Sequence, residues 1–221
     1  MMTTRTLSAA LLTVAAQCGL FATPLGAQIF SVPESANDRR PVTVAFSAGL
    51  LETQDRYDGQ SDTFWALGQA FSYRAAVDVG IRSGAIGVAA SLASVPIRRV
   101  GGSAPANSDG DIQLRQFLAT FRTPVREGFH QVLEIQAGLA QWASYSGTDV
   151  LSDEEAKARN AFALLVGYGF GYTMGDRASI SLVQDLGTLI GSSEGLPSGA
   201  SRVVRQYTTR LGVRLRLAGQ R

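Results

Sequence analysis

The stretch 162–172, FALLVGYGFGY, decides the fold. Phe162, Leu164, Val166, Tyr168, Phe170 and Tyr172 occupy every second position, with Ala163, Leu165, Gly167, Gly169 and Gly171 between them. Successive side chains of a β-strand point to opposite faces, so this order makes a strand with one bulky apolar face and one face of small residues. A helix would scatter the same residues around its axis.

Seven further segments repeat the pattern: 42–51, 65–81, 85–95, 112–123, 131–145, 178–190 and 206–217. Gln69 interrupts the second on its apolar face. Pro96 suggests that the third ends or bulges there. A register change is expected near Arg115 in the fourth. The connections alternate in length. Residues 52–64, 98–111, 146–160 and 191–203 form long gaps; 82–84, 124–128 and 174–177 form short ones. A meander that threads a membrane segregates its connections in this way, with tight turns on one side and long loops on the other. The reading is an all-β, eight-stranded antiparallel up-and-down transmembrane β-barrel over residues 42–217.

The chemistry of the second face decides between lipid and water outside. That face is mainly Gly, Ala, Ser and Thr, and the chain's one lysine, Lys157, falls in a long gap. The outer face of a soluble barrel normally carries many lysines and glutamates. The apolar face carries Trp65, Phe71, Tyr145, Phe162, Tyr172 and Tyr207 near segment ends, an arrangement expected of an aromatic girdle at the membrane interfaces. The small-residue face then lines a narrow lumen. Arg74, Arg122, Arg210, Arg214 and Arg216, with Asp78, Glu134 and Asp185, are expected to form a charge-paired network inside it, because unpaired charges are costly in a low dielectric. A soluble periplasmic barrel of lipocalin type is the alternative with the apolar face turned inward.

The N-terminus reads as an export signal. Arg5 precedes an uncharged apolar stretch, 7–22, and the small residues Thr23-Pro24-Leu25-Gly26-Ala27 follow. Cleavage of residues 1–27 is expected, leaving a short periplasmic lead over 28–41. The single cysteine, Cys18, lies in the removed part.

With this pattern on the page, the chain resembles the small outer-membrane β-barrel family, the type that includes the transmembrane domain of outer-membrane protein A and the adhesin-like eight-stranded barrels. The resemblance implies an outer-membrane location in a Gram-negative-type envelope, with contacts to outer-membrane lipid, envelope chaperones and the barrel-assembly machinery. Many members end on an aromatic residue that assists assembly. Here Tyr207 is the aromatic nearest the C-terminus, so the assembly signal departs from the family pattern.

Enzymatic barrels of the wider family pair a histidine with Ser or Asp near the outer rim. His130, the only histidine, falls beside a short connection and is expected to be structural or solvated. No Cys/His cluster with metal-ligand spacing and no nucleotide-binding fingerprint is present, so no cofactor, metal site or catalytic residue is assigned. A formal net charge of +2 with dispersed basic residues argues against nucleic acid as a partner. The long gaps hold eleven of the eighteen acidic residues against six basic ones. Such loops are expected to meet lipopolysaccharide through divalent cations. The function expected is non-enzymatic, structural or surface-interacting; the alternative is a narrow pore or carrier for small solutes. The ligand and the oligomeric state are left open.

Overall fold

The computed structural model describes residues 41–58, 63–101, 108–147, 158–175, 177–191 and 203–217. The expected signal and lead lie outside the described residues, apart from Pro41. Among the described residues there are ten strands and no helix: β1 (Val42–Thr53), β2 (Arg56–Asp58), β3 (Thr63–Leu67), β4 (Ala70–Ile81), β5 (Gly84–Gly101), β6 (Ser108–Arg122), β7 (Gly128–Gly147), β8 (Arg159–Met174), β9 (Ala178–Gly191) and β10 (Val203–Arg216).

Eight of them close on themselves. The order β5-β4-β1-β10-β9-β8-β7-β6 is antiparallel throughout, and the β5–β6 pairing completes the ring. A rung that starts at Val44 passes through Val77, Val88, Ala119, Ala137, Leu164, Thr188 and Arg205. It returns to β1 at Gln54, whose amide donates to the Arg205 carbonyl at 2.9 Å, ten residues above its start. A stagger of this size on eight strands tilts them by about 40° and leaves an interior that side chains can fill. Neighbouring strands approach closely where small residues meet: a Cβ added at Gly138 or Gly169 would stand 2.0 Å from the carbonyl oxygen of Phe117 or Leu182.

The structure corrects two details. The segment expected as one strand over 65–81 is two, β3 and β4, broken at Gly68 and Gln69. The strand β5 runs through Pro96 instead of ending there. Both follow from the same residue. Pro96 has no amide hydrogen to offer across the sheet. The break sits opposite it, with the Gly68 amide donating to the Pro96 carbonyl at 2.7 Å. Beyond the break β3 pairs with β2 and with the far end of β5, so a hairpin extends the wall within the first long gap. The register shift expected at Arg115 falls slightly earlier, between Asp111 and Gln113.

Burial alternates along the barrel strands, with a change of phase on β7 between Ala140 and Ala143. On β8 the even-numbered positions from Phe162 to Tyr168 are exposed, and the odd-numbered positions from Ala161 to Gly171 are buried. The outer face is apolar on all eight strands: Phe46, Tyr73, Val88, Phe117, Leu139, Val166, Leu182 and Leu211 are all exposed. A continuous apolar surface that encircles a protein marks a non-aqueous surrounding. One polar pair in this band, the cross-strand neighbours Thr209 and Gln184, satisfies itself: the Thr209 hydroxyl donates to Gln184 Oε1 at 2.6 Å.

Candidate functional site

The lumen is the site that these strands build, because their inward positions converge on one narrow space. Its half toward the short turns is ionic. Glu134 on β7, 2% exposed, stands at the centre. It pairs with Arg210 of β10, with Arg74 of β4 at 3.6 Å, and with Arg122 of β6 and Arg214 of β10 at 3.7 Å each. Asp185 of β9 receives Arg210 Nε at 2.6 Å, and Asp78 of β4 pairs with Arg214. Four guanidinium groups thus face three carboxylates.

Neutral side chains complete the network. Gln136, fully buried, accepts from Arg74 Nη1 at 2.6 Å and donates to Asp185 at 3.1 Å. Thr120 donates to Asp78 at 3.1 Å, and Arg214 donates to Thr43 at 3.1 Å. Gly167 leaves room for the acid between strands: a Cβ there would lie 2.3 Å from Asp185 Oδ1. Buried charges of this kind are costly unless paired and hydrogen-bonded. The pairing holds for all seven, while Arg122 Nε and Nη2 and Arg214 Nε have no hydrogen-bond partner among the described residues.

The half toward the long gaps is apolar. Leu51, Val95, Leu114, Leu118, Leu165 and Leu189 form one buried cluster with Val204 and several alanines, and Trp142 packs against it. Apart from Leu118, which stands past the middle of β6, the members lie toward the long-gap ends of their strands. Gln116 and Gln206 lie buried beside this layer and hydrogen-bond to each other at 2.9 Å, while Gln116 also accepts from Ser91 at 3.0 Å. The lumen is therefore filled by two layers, one ionic and one oily.

Seven of the eight charged residues singled out from the sequence meet in the ionic layer. Arg216 does not: it is exposed at the last position of β10, where solvent screens its charge. The uncharged members Gln136, Thr120, Gln116 and Gln206, and the apolar layer, carried a usable signal. They share strand parity with the charged residues and point the same way.

Of the six aromatics singled out, Phe71, Phe162 and Tyr207 are exposed on the outer face toward the long gaps, and Tyr172 is exposed toward the short turns. Tyr145 stands apart. It is half-buried near the end of β7, where a Cβ on Gly110 would meet its ring at 2.8 Å. The backbone of Trp65 belongs to β3, outside the ring of eight, and its side chain lies outside the described residues. At the short-turn end the sequence reading omitted Phe129, which stacks on Phe170 with ring centroids 5.4 Å apart.

His130 is buried at the short-turn end. Its Nδ1 lies 3.0 Å from the Gly128 carbonyl oxygen, and Gly171 opposite leaves space for the ring. Among the described residues no group of three or more His, Cys, Asp or Glu is placed to hold a metal ion. Most of the acidic long-gap residues, including Asp153, Glu154 and Glu155, lie outside the described residues.

No family model matches the sequence, and no curated protein matches it. Solved structures do. Neisserial surface protein A aligns over 80% of this chain and 97% of its own, with a TM-score of 0.51 and 13% identity. The N-terminal β-barrel domain of Pseudomonas aeruginosa OprF aligns over 81% of this chain and 100% of its own, at 0.42 and 13%. Ail, the attachment invasion locus protein of Yersinia pestis, aligns over 79% of this chain and 98% of its own, at 0.38 and 16%. These are small eight-stranded outer-membrane barrels. The likeness to neisserial surface protein A shows that this chain has the same fold, a closed all-β antiparallel barrel of eight strands.

Proposed function

We propose that the chain is a non-enzymatic outer-membrane barrel with a structural or surface-interaction role, exported by cleavage of residues 1–27. The observation that carries this reading is the pairing of an apolar outer face with an interior occupied by an ionic and an apolar layer. A barrel built in this way spans lipid and presents its long, acid-rich connections on one side. The envelope neighbours of the similar barrels favour the outer membrane, where lipopolysaccharide, chaperones and the assembly machinery are the partners to expect.

Four expected outcomes test the reading. The mature chain fractionates with the outer membrane, begins near Gln28, and migrates faster on a gel unboiled than boiled. Recovery in the soluble periplasmic fraction would instead favour the lipocalin-like alternative. In planar bilayers the purified barrel shows no stable discrete conductance. The apolar layer around Leu114, Leu165 and Leu189 blocks ions, which must shed water to pass it. Steady single-channel steps would replace this reading with the pore.

A further inference from the structure

The outer face carries an open groove. On five neighbouring strands two adjacent rungs run together: Val213, Phe46, Ala75, Ala90 and Phe117 on one, and Leu211, Ala48, Tyr73, Leu92 and Arg115 on the next. Ala48, Ala75 and Ala90 are too small to fill their places between Phe46, Tyr73 and Phe117. They floor an open groove of about 830 Å³ with Arg115 and Gln113 in its lining. Arg115 stands where the outer face of β6 changes character. Phe117, Ala119 and Phe121 follow it toward the short turns; Gln113 and Asp111 precede it toward the long gap.

Among the described residues this charge is held by neutral acceptors. Arg115 Nη2 donates to Gln113 Oε1 at 2.7 Å and to Ser144 Oγ at 3.2 Å. Both acceptors are neutral, and no carboxylate among the described residues lies within ion-pair distance. A guanidinium at a lipid–water boundary, above an apolar groove, matches an anionic headgroup joined to hydrocarbon.

We infer that this groove binds a phosphate-bearing acyl lipid of the leaflet on the long-gap side, its hydrocarbon lying over Ala48, Ala75 and Ala90 and its phosphate on Arg115. The inference rests on the reading of the outer face as lipid-facing.

The test uses the full mature barrel, purified in neutral detergent and offered lipid A or the same lipid stripped of its phosphates. Native mass spectrometry reads the lipid retained. The expected result is one tightly held lipid A, retained about tenfold better than the dephosphorylated form, as one or two charge-assisted hydrogen bonds predict. Arg115→Leu removes that preference and Arg115→Lys restores part of it. Ala90→Phe, which fills the groove at an outward position, lowers retention of both lipids. Equal retention of the two lipids, an unchanged preference in Arg115→Leu, or a dimer in place of the lipid-bound species overturns the site while leaving the membrane barrel standing. A chain that stays monomeric and soluble without detergent overturns both.

Discussion

Replacing Glu134 with alanine is expected to lower the stability of the barrel by about 3–5 kcal/mol, the range for breaking a buried ion pair from one side. The residue holds four guanidinium groups from three strands, those of Arg74, Arg122, Arg210 and Arg214. Without it, four buried positive charges face only Asp78 and Asp185. Glutamine in its place keeps the shape and loses the charge, so it should cost nearly as much. A second change that removes one guanidinium, Arg122→Met in the Glu134→Gln background, should recover part of the loss. Urea unfolding in lipid vesicles, followed by the gel shift of the folded form, measures each variant. Equal stability of Glu134→Gln and the parent chain would mean that the network contributes little.

The second large effect is expected on the opposite face. Leu182 of β9 is 53% exposed, and its cross-strand partners Leu211 and Phe170 are outward and apolar. Leu182→Arg should cost about 2–4 kcal/mol if this surface lies near the bilayer midplane. Ile190→Arg, near the long-gap end of the same strand, should cost about 0–1 kcal/mol, because an arginine there reaches the interface. In water both changes would fall within about 0.5 kcal/mol of neutral. The depth gradient between the two variants carries the information. A flat response would place the face in water.

How much of this was legible in the chain depends on the range of the signal. Strand parity is a local property, so the alternation at 162–172 placed Leu165 and Gly167 inside and Leu164 and Val166 outside without any knowledge of neighbours. The same parity placed Glu134, Asp185 and Arg210 in one space, since an eight-stranded ring leaves only one lumen. The layering of that space was not legible. Whether Leu114 meets Leu189 or Arg74 depends on the stagger, which is set by the pairing of strands distant in sequence. The break at Gly68 was hidden for a related reason: its cause, Pro96, lies on a different strand, although Gln69 gave a hint of it. Arg216 shares the parity of Arg214 yet stands exposed on the last rung of β10, opposite Thr43, and parity carries no information on depth. Tyr145 was misplaced for another reason: β7 changes phase at its register shift, so that Ala143 is buried and Tyr145 half-buried instead of outward. The groove under Arg115 needed two rungs across five strands, a relation that no single segment contains.

The ionic layer also bears on why the barrel has one register. Slipping any strand by a single residue would turn its charges into lipid. Arg210 bridges Glu134 on β7 and Asp185 on β9, and Arg214 pairs with Asp78 on β4 as well as Glu134. Apart from the Arg210–Asp185 pair, which joins the neighbouring strands β10 and β9, these contacts link strands that do not share a ladder, so they penalise slippage of several strands at once. The apolar layer supplies no such directional constraint and fills the remaining volume.

The central claim is that a closed barrel presents its bulky face to lipid and its small-residue face to a filled lumen. Nitroxide labels placed singly at 162–172 test it most directly, with Cys18 replaced if it is retained. In lipid vesicles, labels at 162, 164, 166, 168, 170 and 172 should collide readily with oxygen and scarcely with a water-soluble nickel complex. Labels at 163 and 165 should meet little of either. Strong nickel collision at the even positions along the whole of β8 would contradict the account and put water where lipid is expected.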